Sequence, residues 1–289
     1  MTVLGAVFLP QLPPERLRDV ALAADEAGLE ELWLWEDCFR ESGVAAAAAS
    51  LAWTGRLRVG VGLLPVPLRN VALTAMEVAT LDRIFPGRLV VGVGHGVQDW
   101  MGQVGARVDS PLTLLREYLE ALRALLRGEE VTTEGRYLRL DRVALDWPPP
   151  AAPAVLAGAT GPRTLRLCGE FADGTILTAG TPSDALRRAR ELIEQGRRSA
   201  GRAEPNPVTV YLHAATGPGA AERLEAEVRR WGDDPAEVAV AGDAPAVAEA
   251  VRRWADAGAD TVVLQPTPDD PDPEGFMRFV AREVRPLVP

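Results

Sequence analysis

The chain of 289 residues is 47% hydrophobic and 25% charged, which is typical of a globular protein with a large core. Its formal net charge of −10 argues against nucleic acid or an anionic membrane as the main partner, although backbone amides still allow a phosphorylated ligand. The two cysteines, Cys38 and Cys168, lack zinc-type spacing, so no metal site is predicted and reduced thiols are favoured over a disulfide.

Residues 3–9 form the first apolar run, with no basic segment before them and no cleavage signature after them. We therefore expect a core strand rather than a signal peptide, in a cytoplasmic protein. No apolar run in the sequence reaches the roughly 18 residues that a membrane span requires.

Short apolar runs alternate with helical patterns along most of the chain. The predicted strands are 3–9, 31–35, 57–64, 88–93, 154–157, 174–178, 208–214 and 260–265. The predicted helices are 14–27, 43–54, 71–84, 111–127, 162–171, 183–200, 218–231, 244–257 and 274–284. In helix 71–84 we expect four apolar side chains to face the core: Leu73, Met76, Ala79 and Leu81. Eight strands alternating with helices predict an α/β fold, a single parallel (β/α)8 TIM barrel over residues 1–289.

Residues 128–152 interrupt this alternation. Polar and apolar residues alternate on both sides of Glu134 and Gly135, which predicts a β-hairpin over 131–140. The proline run at 148–150 that follows is incompatible with a helix interior or a central strand. We expect this segment to form a short excursion outside the barrel.

The fourth predicted strand runs directly into a glycine-rich turn that carries His95. Active sites of such barrels collect at the carboxyl ends of the strands, where Glu36 and Asp37 follow the second strand. A carboxylate and an imidazole at neighbouring strand ends favour proton transfer. In the alternative interpretation, Asp37 only bonds a loop and His95 is a satisfied polar residue.

A second candidate site is the turn of small residues from Gly158 to Arg163, which leads from the fifth strand into a helix. Backbone amides, the Thr160 hydroxyl and Arg163 would together form a phosphate cradle at that helix N-terminus. The alternative is a tight turn whose glycines serve geometry alone.

At these residues the chain resembles the bacterial luciferase-like family of flavin and deazaflavin oxidoreductases, most closely the branch that uses coenzyme F420. Three sets of residues carry the resemblance, in the family's order and spacing. They are Ala24-Asp-Glu-Ala-Gly-Leu29 with Leu32-Trp-Leu-Trp-Glu-Asp37, residues 73–82 with Gly87-Arg88-Leu-Val-Val-Gly-Val-Gly94, and Gly158-Ala-Thr-Gly-Pro-Arg163 with Ala172-Asp-Gly-Thr-Ile-Leu177.

The resemblance implies that F420, or alternatively FMN, lies across the barrel mouth. It places a non-proline cis peptide behind the ring at Gly62–Leu63 and a hydrogen bond to cofactor or substrate at Asp37. It also implies contacts to the polyol chain or ring from His95 and Gly96. The implied phosphate site comprises Gly158, Ala159, Thr160, Gly161 and the neighbouring Arg163.

The sequence departs from the family at two positions. Many relatives have Asp-His where this chain has Asp37-Cys38, and some dehydrogenases carry an acidic residue at the position of Val97. These departures argue against sugar-phosphate or alcohol dehydrogenase activity. His95 remains as the alternative proton carrier.

The resemblance implies an oxidoreductase that transfers a hydride between F420 and a small organic substrate. One alternative is an FMN-dependent monooxygenase that works with a separate reductase, and another is a flavin-type cofactor carrier without turnover. We also expect a homodimer, because relatives pair through helices near the second and third strands and helix 43–54 is rich in alanine. That helix is alternatively buried within one chain.

Overall fold

Parallel strands dominate the architecture of the protein, which we describe from a computed structural model covering residues 2–289. The strands are β1 (Val3–Val7), β2 (Glu31–Leu34), β3 (Arg58–Pro65), β4 (Leu89–Gly94), β5 (Val131–Glu134), β6 (Arg139–Val143), β7 (Val155–Gly158), β8 (Gly174–Leu177), β9 (Val208–Ala215), β10 (Ala239–Ala241) and β11 (Thr261–Gln265). Eight of them close a barrel in the order β1-β2-β3-β4-β7-β8-β9-β11, with β11 pairing back onto β1. The predicted (β/α)8 barrel is confirmed.

The helices cover the outside of this barrel. They are α1 (Leu17–Ala27), α2 (Gly43–Trp53), α3 (Val71–Ile84), α4 (Gln98–Gln103), α5 (Pro111–Leu126), α6 (Pro162–Phe171), α7 (Ser183–Ser199), α8 (Ala220–Arg230), α9 (Pro235–Val238), α10 (Ala244–Asp256) and α11 (Pro273–Phe279). Among the strands and helices named here, the short elements α4, α9 and β10 were not predicted, because they are too brief to show a period. Within residues 2–289, no helix is both long and apolar enough to cross a membrane.

Side chains on each barrel strand alternate between the interior and the helix layer. The interior holds a compact group that includes Trp33, Ile176 and Tyr211. Glycine on a neighbouring strand makes room for it, since a Cβ at Gly60 would lie 2.5 Å from the Trp33 ring. Large aromatic side chains therefore fill the barrel because small residues face them.

The inward face of α3 differs from the prediction. Ala79 and Leu81 are buried as expected, but Leu73 is 47% exposed and Met76 is 57% exposed. The buried stripe runs instead through smaller residues such as Thr74, whose hydroxyl accepts a 2.7 Å hydrogen bond from the buried Tyr118 on α5. The prediction was wrong for Leu73 and Met76, because it selected apolar residues without considering which positions of the helix face the core.

Residues 131–143 form the predicted hairpin, outside the barrel. Strands β5 and β6 pair with each other in a separate antiparallel sheet, and the connection between them spans 135–138. Glu117 on α5 fastens this connection by accepting hydrogen bonds from the backbone amides of Arg136, Tyr137 and Leu138. Both cysteines are free, as the sequence indicated.

Candidate active site at the barrel mouth

The carboxyl ends of the eight strands meet at one rim, which we call the barrel mouth. Closure of a parallel barrel brings the end of β2, the β3 segment at Gly62–Leu63, the end of β4 and the turn after β7 to this rim. The sequence-predicted site residues are therefore gathered on one side of the molecule. The local contacts of these residues differ, however.

Strand β3 carries a bulge at the mouth. Its register with β4 shifts between Val61 and Leu64, and the Gly62–Leu63 peptide bond is cis. The Leu63 side chain lies over Gly94 and Gly158, so that a Cβ at Gly94 would be 2.6 Å from Leu63 Cδ2 and one at Gly158 would overlap it. Both glycines are thus required for Leu63 to project into the mouth beside the β7–α6 turn.

The β7–α6 turn leaves the N-terminus of α6 open. Gly161 is the N-cap residue in extended conformation, Pro162 follows in the first turn, and no side chain among the described residues caps the helix. Thr160 and Arg163 are exposed, whereas Ala159 is buried. Because the first amides of a helix have no intrahelical partner, this turn can bind an anion such as phosphate.

His95 lies beside this turn. Its Nε2 is 3.2 Å from Thr164 Oγ1 in the first turn of α6, while Nδ1 is buried and has no hydrogen-bond partner within residues 2–289. Burial lowers the pKa of His95, and the Pro111 carbonyl opposes this effect. The lowered pKa favours the neutral form of the imidazole. The next residue, Gly96, has φ +65°, a left-handed conformation that favours glycine.

Glu36 has partners other than the imidazole that the sequence suggested. Its carboxylate accepts hydrogen bonds from the Arg69 guanidinium at 3.2 and 3.3 Å and from the Gly43 amide at 2.9 Å. Arg69 also pairs with Glu77 on α3. These contacts hold the start of α2 and the loop after β3 against the end of β2. The carboxylate of Glu36 therefore has a structural role.

Asp37 is the second carboxyl group that follows β2. Burial raises the pKa of Asp37, and the charge of Arg40 opposes the rise. Glu41, which the sequence analysis did not select, has a buried Oε1 without a hydrogen-bond partner among the described residues. Its pKa is also raised, by burial first and in part by the charge of Asp37. The loop after β2 thus holds two carboxyl groups biased toward the protonated form.

His213 at the end of β9 was also missed. It shares the inward face with Tyr211, two residues earlier, and is only 4% exposed. Burial lowers the pKa of His213, and the carboxylates of Glu227 and Asp233 oppose this. Neither acid is a sequence neighbour of His213, because both lie beyond the strand and are brought close by α8 and the loop that follows it.

Buried polar atoms without partners are concentrated at strand ends. Six such side-chain atoms within the described residues follow or end barrel strands: Gln11 Oε1, Trp35 Nε1, Glu41 Oε1, His95 Nδ1, His213 Nδ1 and Thr267 Oγ1. Buried polar atoms are normally hydrogen-bonded, so this set is suited to a ligand with both donors and acceptors. A flavin-type cofactor with a polar ring edge, a polyol chain and a phosphate fits these donors and acceptors.

No cluster of three or more potential metal ligands is found in residues 2–289.

Comparison with curated proteins finds F420 enzymes among the relatives. The chain is 31% identical over 211 residues to the 5,10-methylenetetrahydromethanopterin reductase of Methanolobus tindarius, covering 73% of this chain and 64% of that protein. It is 33% identical over 207 residues to an F420-dependent glucose-6-phosphate dehydrogenase of Nakamurella multipartita, covering 66% and 60%. The chain thus spans less than two thirds of the length of these relatives.

Solved structures share the whole fold. The F420-dependent tetrahydromethanopterin reductase of Methanopyrus kandleri superposes with a TM-score of 0.87 at 23% identity, over 99% of both chains. An F420-dependent secondary alcohol dehydrogenase in complex with an F420–acetone adduct gives 0.88 at 21% identity, over 100% of this chain and 99% of that one. The sequence profile of the luciferase-like monooxygenases matches residues 3–233. The chain therefore belongs to the luciferase-like monooxygenase family.

Proposed function

We propose that the protein is an oxidoreductase that uses coenzyme F420 to transfer a hydride to or from a small organic substrate. The observation that carries this proposal is the set of unpartnered buried polar atoms around the mouth, next to the open N-terminus of α6. The curated relatives named above support F420 over FMN. When bound, F420 supplies the hydride chemistry, and the protein supplies binding, orientation and proton transfer.

The β7–α6 turn is the proposed phosphate site. Gly161 and the residues after it present backbone amides whose helix dipole favours an anion, and the exposed Arg163 adds a positive charge. The Thr160 hydroxyl is exposed on the same turn. These groups would hold the phosphate end and place the rest of the cofactor across the mouth.

Leu63 and Trp35 are the proposed walls of the ring site. Leu63 projects from the β3 bulge over two glycines, and the half-buried Trp35 presents an unpartnered Nε1. Close packing of apolar and aromatic groups excludes water from the reacting centre and fixes the ring plane.

Asp37, Glu41 and His95 are the proposed proton carriers. Burial raises the pKa of Asp37 and of Glu41 and lowers the pKa of His95, which favours the carboxyl groups as proton donors and the imidazole as a proton acceptor. We assign no proton role to Glu36, because its carboxylate is already engaged by Arg69 and the Gly43 amide.

Titration with purified cofactors tests the proposal. We expect F420 to quench the intrinsic fluorescence of the seven tryptophans with micromolar affinity and FMN to bind at least tenfold more weakly. Micromolar FMN binding without measurable F420 binding would assign the mouth to a flavin and sink the proposal. Oxygen consumption separates the two chemistries, since a deazaflavin enzyme should consume none.

We also propose that the protein forms a homodimer through its α2–α3 face, defined by Trp53, Leu73, Met76 and Ile84. These side chains are 39%, 47%, 57% and 60% exposed, although all four are large and apolar. Leu73 and Met76 lie one turn apart on α3 and present a common surface. Large apolar side chains grouped on adjacent elements indicate an interaction surface.

Substitution of both α3 residues tests the dimer. Leu73→Glu combined with Met76→Glu should place two charges in the interface and convert a dimer into the 31.0 kDa monomer in light scattering. The control is Leu287→Glu, because Leu287 is 43% exposed but lies outside this face. A wild-type protein that is monomeric at low micromolar concentration contradicts the proposal.

A further inference from the structure

Tyr211 connects strand β9 to the β3 bulge across the inside of the barrel. Its hydroxyl donates a 3.2 Å hydrogen bond to the carbonyl oxygen of Gly62, a residue 149 positions away in sequence. At this point the pairing of β3 with β4 is interrupted between Val61 and Leu64. A partly buried carbonyl that leaves the ladder needs another donor, and Tyr211 provides it.

The phenol ring of Tyr211 is held by two tryptophans. Trp33 meets it edge-on with ring centroids 5.9 Å apart, and Trp35 does the same at 5.5 Å. Trp33 is itself fixed, because its Nε1 donates a 2.8 Å hydrogen bond to the buried Glu31, which pairs with Arg58 at 2.7 Å. The hydroxyl of Tyr211 therefore has a determined position below the mouth.

The bulge that receives this hydrogen bond carries Leu63. The carbonyl of Gly62 faces Tyr211, and a Cβ at Gly62 would collide with the Tyr211 hydroxyl. The next side chain, Leu63, packs over Gly94 and Gly158 and reaches the β7–α6 turn. Any movement of the Gly62 carbonyl would therefore displace Leu63 relative to the proposed phosphate site.

We propose that Tyr211 is a positioning residue whose hydroxyl holds the β3 bulge so that Leu63 supports the cofactor ring in one orientation. This inference takes the identity of the cofactor ring from the proposed function, whereas the hydrogen bond is observed in the structure. Tyr211 acts through Gly62 and Leu63 and is not a proton carrier. Burial raises the pKa of its phenol strongly, so the hydroxyl remains a donor throughout the physiological range.

The variant Tyr211→Phe removes the hydroxyl and retains both aromatic contacts. We expect hydrogen–deuterium exchange in a peptide covering residues 60–66 of the cofactor-free protein to become about fivefold faster, because one buried hydrogen bond is lost. The affinity for F420 should fall about fivefold. The induced circular dichroism of bound F420 should also change, because the ring is less firmly oriented.

Tyr118→Phe is the matched control. Tyr118 is equally buried and its hydroxyl likewise donates one hydrogen bond, to Thr74, but within the helix layer between α5 and α3. The free energy of unfolding of Tyr118→Phe should fall by about as much as that of Tyr211→Phe. Its amide exchange at 60–66, its F420 affinity and the dichroism of bound F420 should stay as in wild type. A general loss of stability would instead affect both variants alike.

The outcomes separate this inference from the proposed function. Unchanged exchange at 60–66 in Tyr211→Phe overturns the inference, as does faster exchange with unaltered F420 affinity and dichroism. If wild-type protein does not bind F420, the proposed function fails while the exchange experiment still tests the hold on the bulge. If Tyr211→Phe does not fold, the wild-type protein supplies the test. Amide exchange at residues 60–66 that is faster than exchange in the paired part of β2 and β3 would contradict the inference.

Discussion

Replacing Gly161 with aspartate is expected to abolish F420 binding while the protein stays folded. A Cβ at this position would meet no atom within 4 Å, and the backbone of Gly161 is extended, so any residue fits. Aspartate is moreover a favoured N-cap residue, and its carboxylate would bond the open amides of α6. The same carboxylate would then occupy the proposed phosphate site and repel the phosphate, lowering affinity by at least about 100-fold.

Two neutral variants at the same position separate charge from shape. Gly161→Asn has nearly the same size and also caps the helix, so we expect intermediate affinity, whereas Gly161→Ala should bind F420 within a few-fold of wild type. Affinity is measured by tryptophan quenching and folding by circular dichroism and thermal melting. A folded Gly161→Asp protein with normal F420 affinity would show that the phosphate lies elsewhere.

Replacing His95 with glutamine is expected to reduce turnover at least about tenfold while F420 affinity changes only a few-fold. The imidazole lies beside the α6 turn, with Nε2 bonded to Thr164 and Nδ1 buried without a partner in the described chain. Glutamine can keep the bond to Thr164 but cannot exchange a proton near neutral pH. Wild-type turnover in His95→Gln would leave Asp37 as the leading proton carrier.

The pH dependence of His95→Gln supplies an independent check. Burial lowers the pKa of His95 below its usual value of about 6.5, so the neutral base persists into mildly acidic solution. The acidic limb of the wild-type rate profile should therefore lie below about pH 6.5, and the variant should lack it. Thr164→Val is the control: it removes the partner of Nε2 but leaves a group that titrates.

The stability of the protein should respond to pH with a defined sign. Between the lowered folded pKa and the unfolded value of about 6.5, the unfolded chain binds more protons at His95 than the folded protein does. The free energy of unfolding should therefore decrease as pH falls through this window. In His95→Gln that contribution is absent, so the free energies of unfolding from denaturant melts at pH 5.5 and 7.5 should differ less than in wild type. His213, whose pKa is also lowered by burial, contributes with the same sign in both proteins.

The barrel and the location of its functional end follow from local patterns in the amino-acid sequence. Apolar runs too short for helices, alternating with amphipathic segments, allow little else than parallel strands covered by helices, because a strand buried on both faces needs a layer on each side. The glycine at position 96 also has a local explanation, because its backbone is left-handed. Gly158 does not, because the Leu63 side chain with which a Cβ at Gly158 would collide comes from β3.

The pairing of polar groups, in contrast, depends on the folded chain. Glu36 and Asp37 are adjacent in sequence, yet Glu36 is bound by Arg69 whereas Asp37 remains at the mouth. His213 acquires acidic neighbours from α8 and the following loop, and Tyr211 reaches Gly62 across the barrel. Hydrophobic periodicity fixes the face on which a residue lies, because burial depends on local geometry. The partner of a charged group or hydroxyl is set by barrel closure, because closure brings residues that are far apart in the chain into contact.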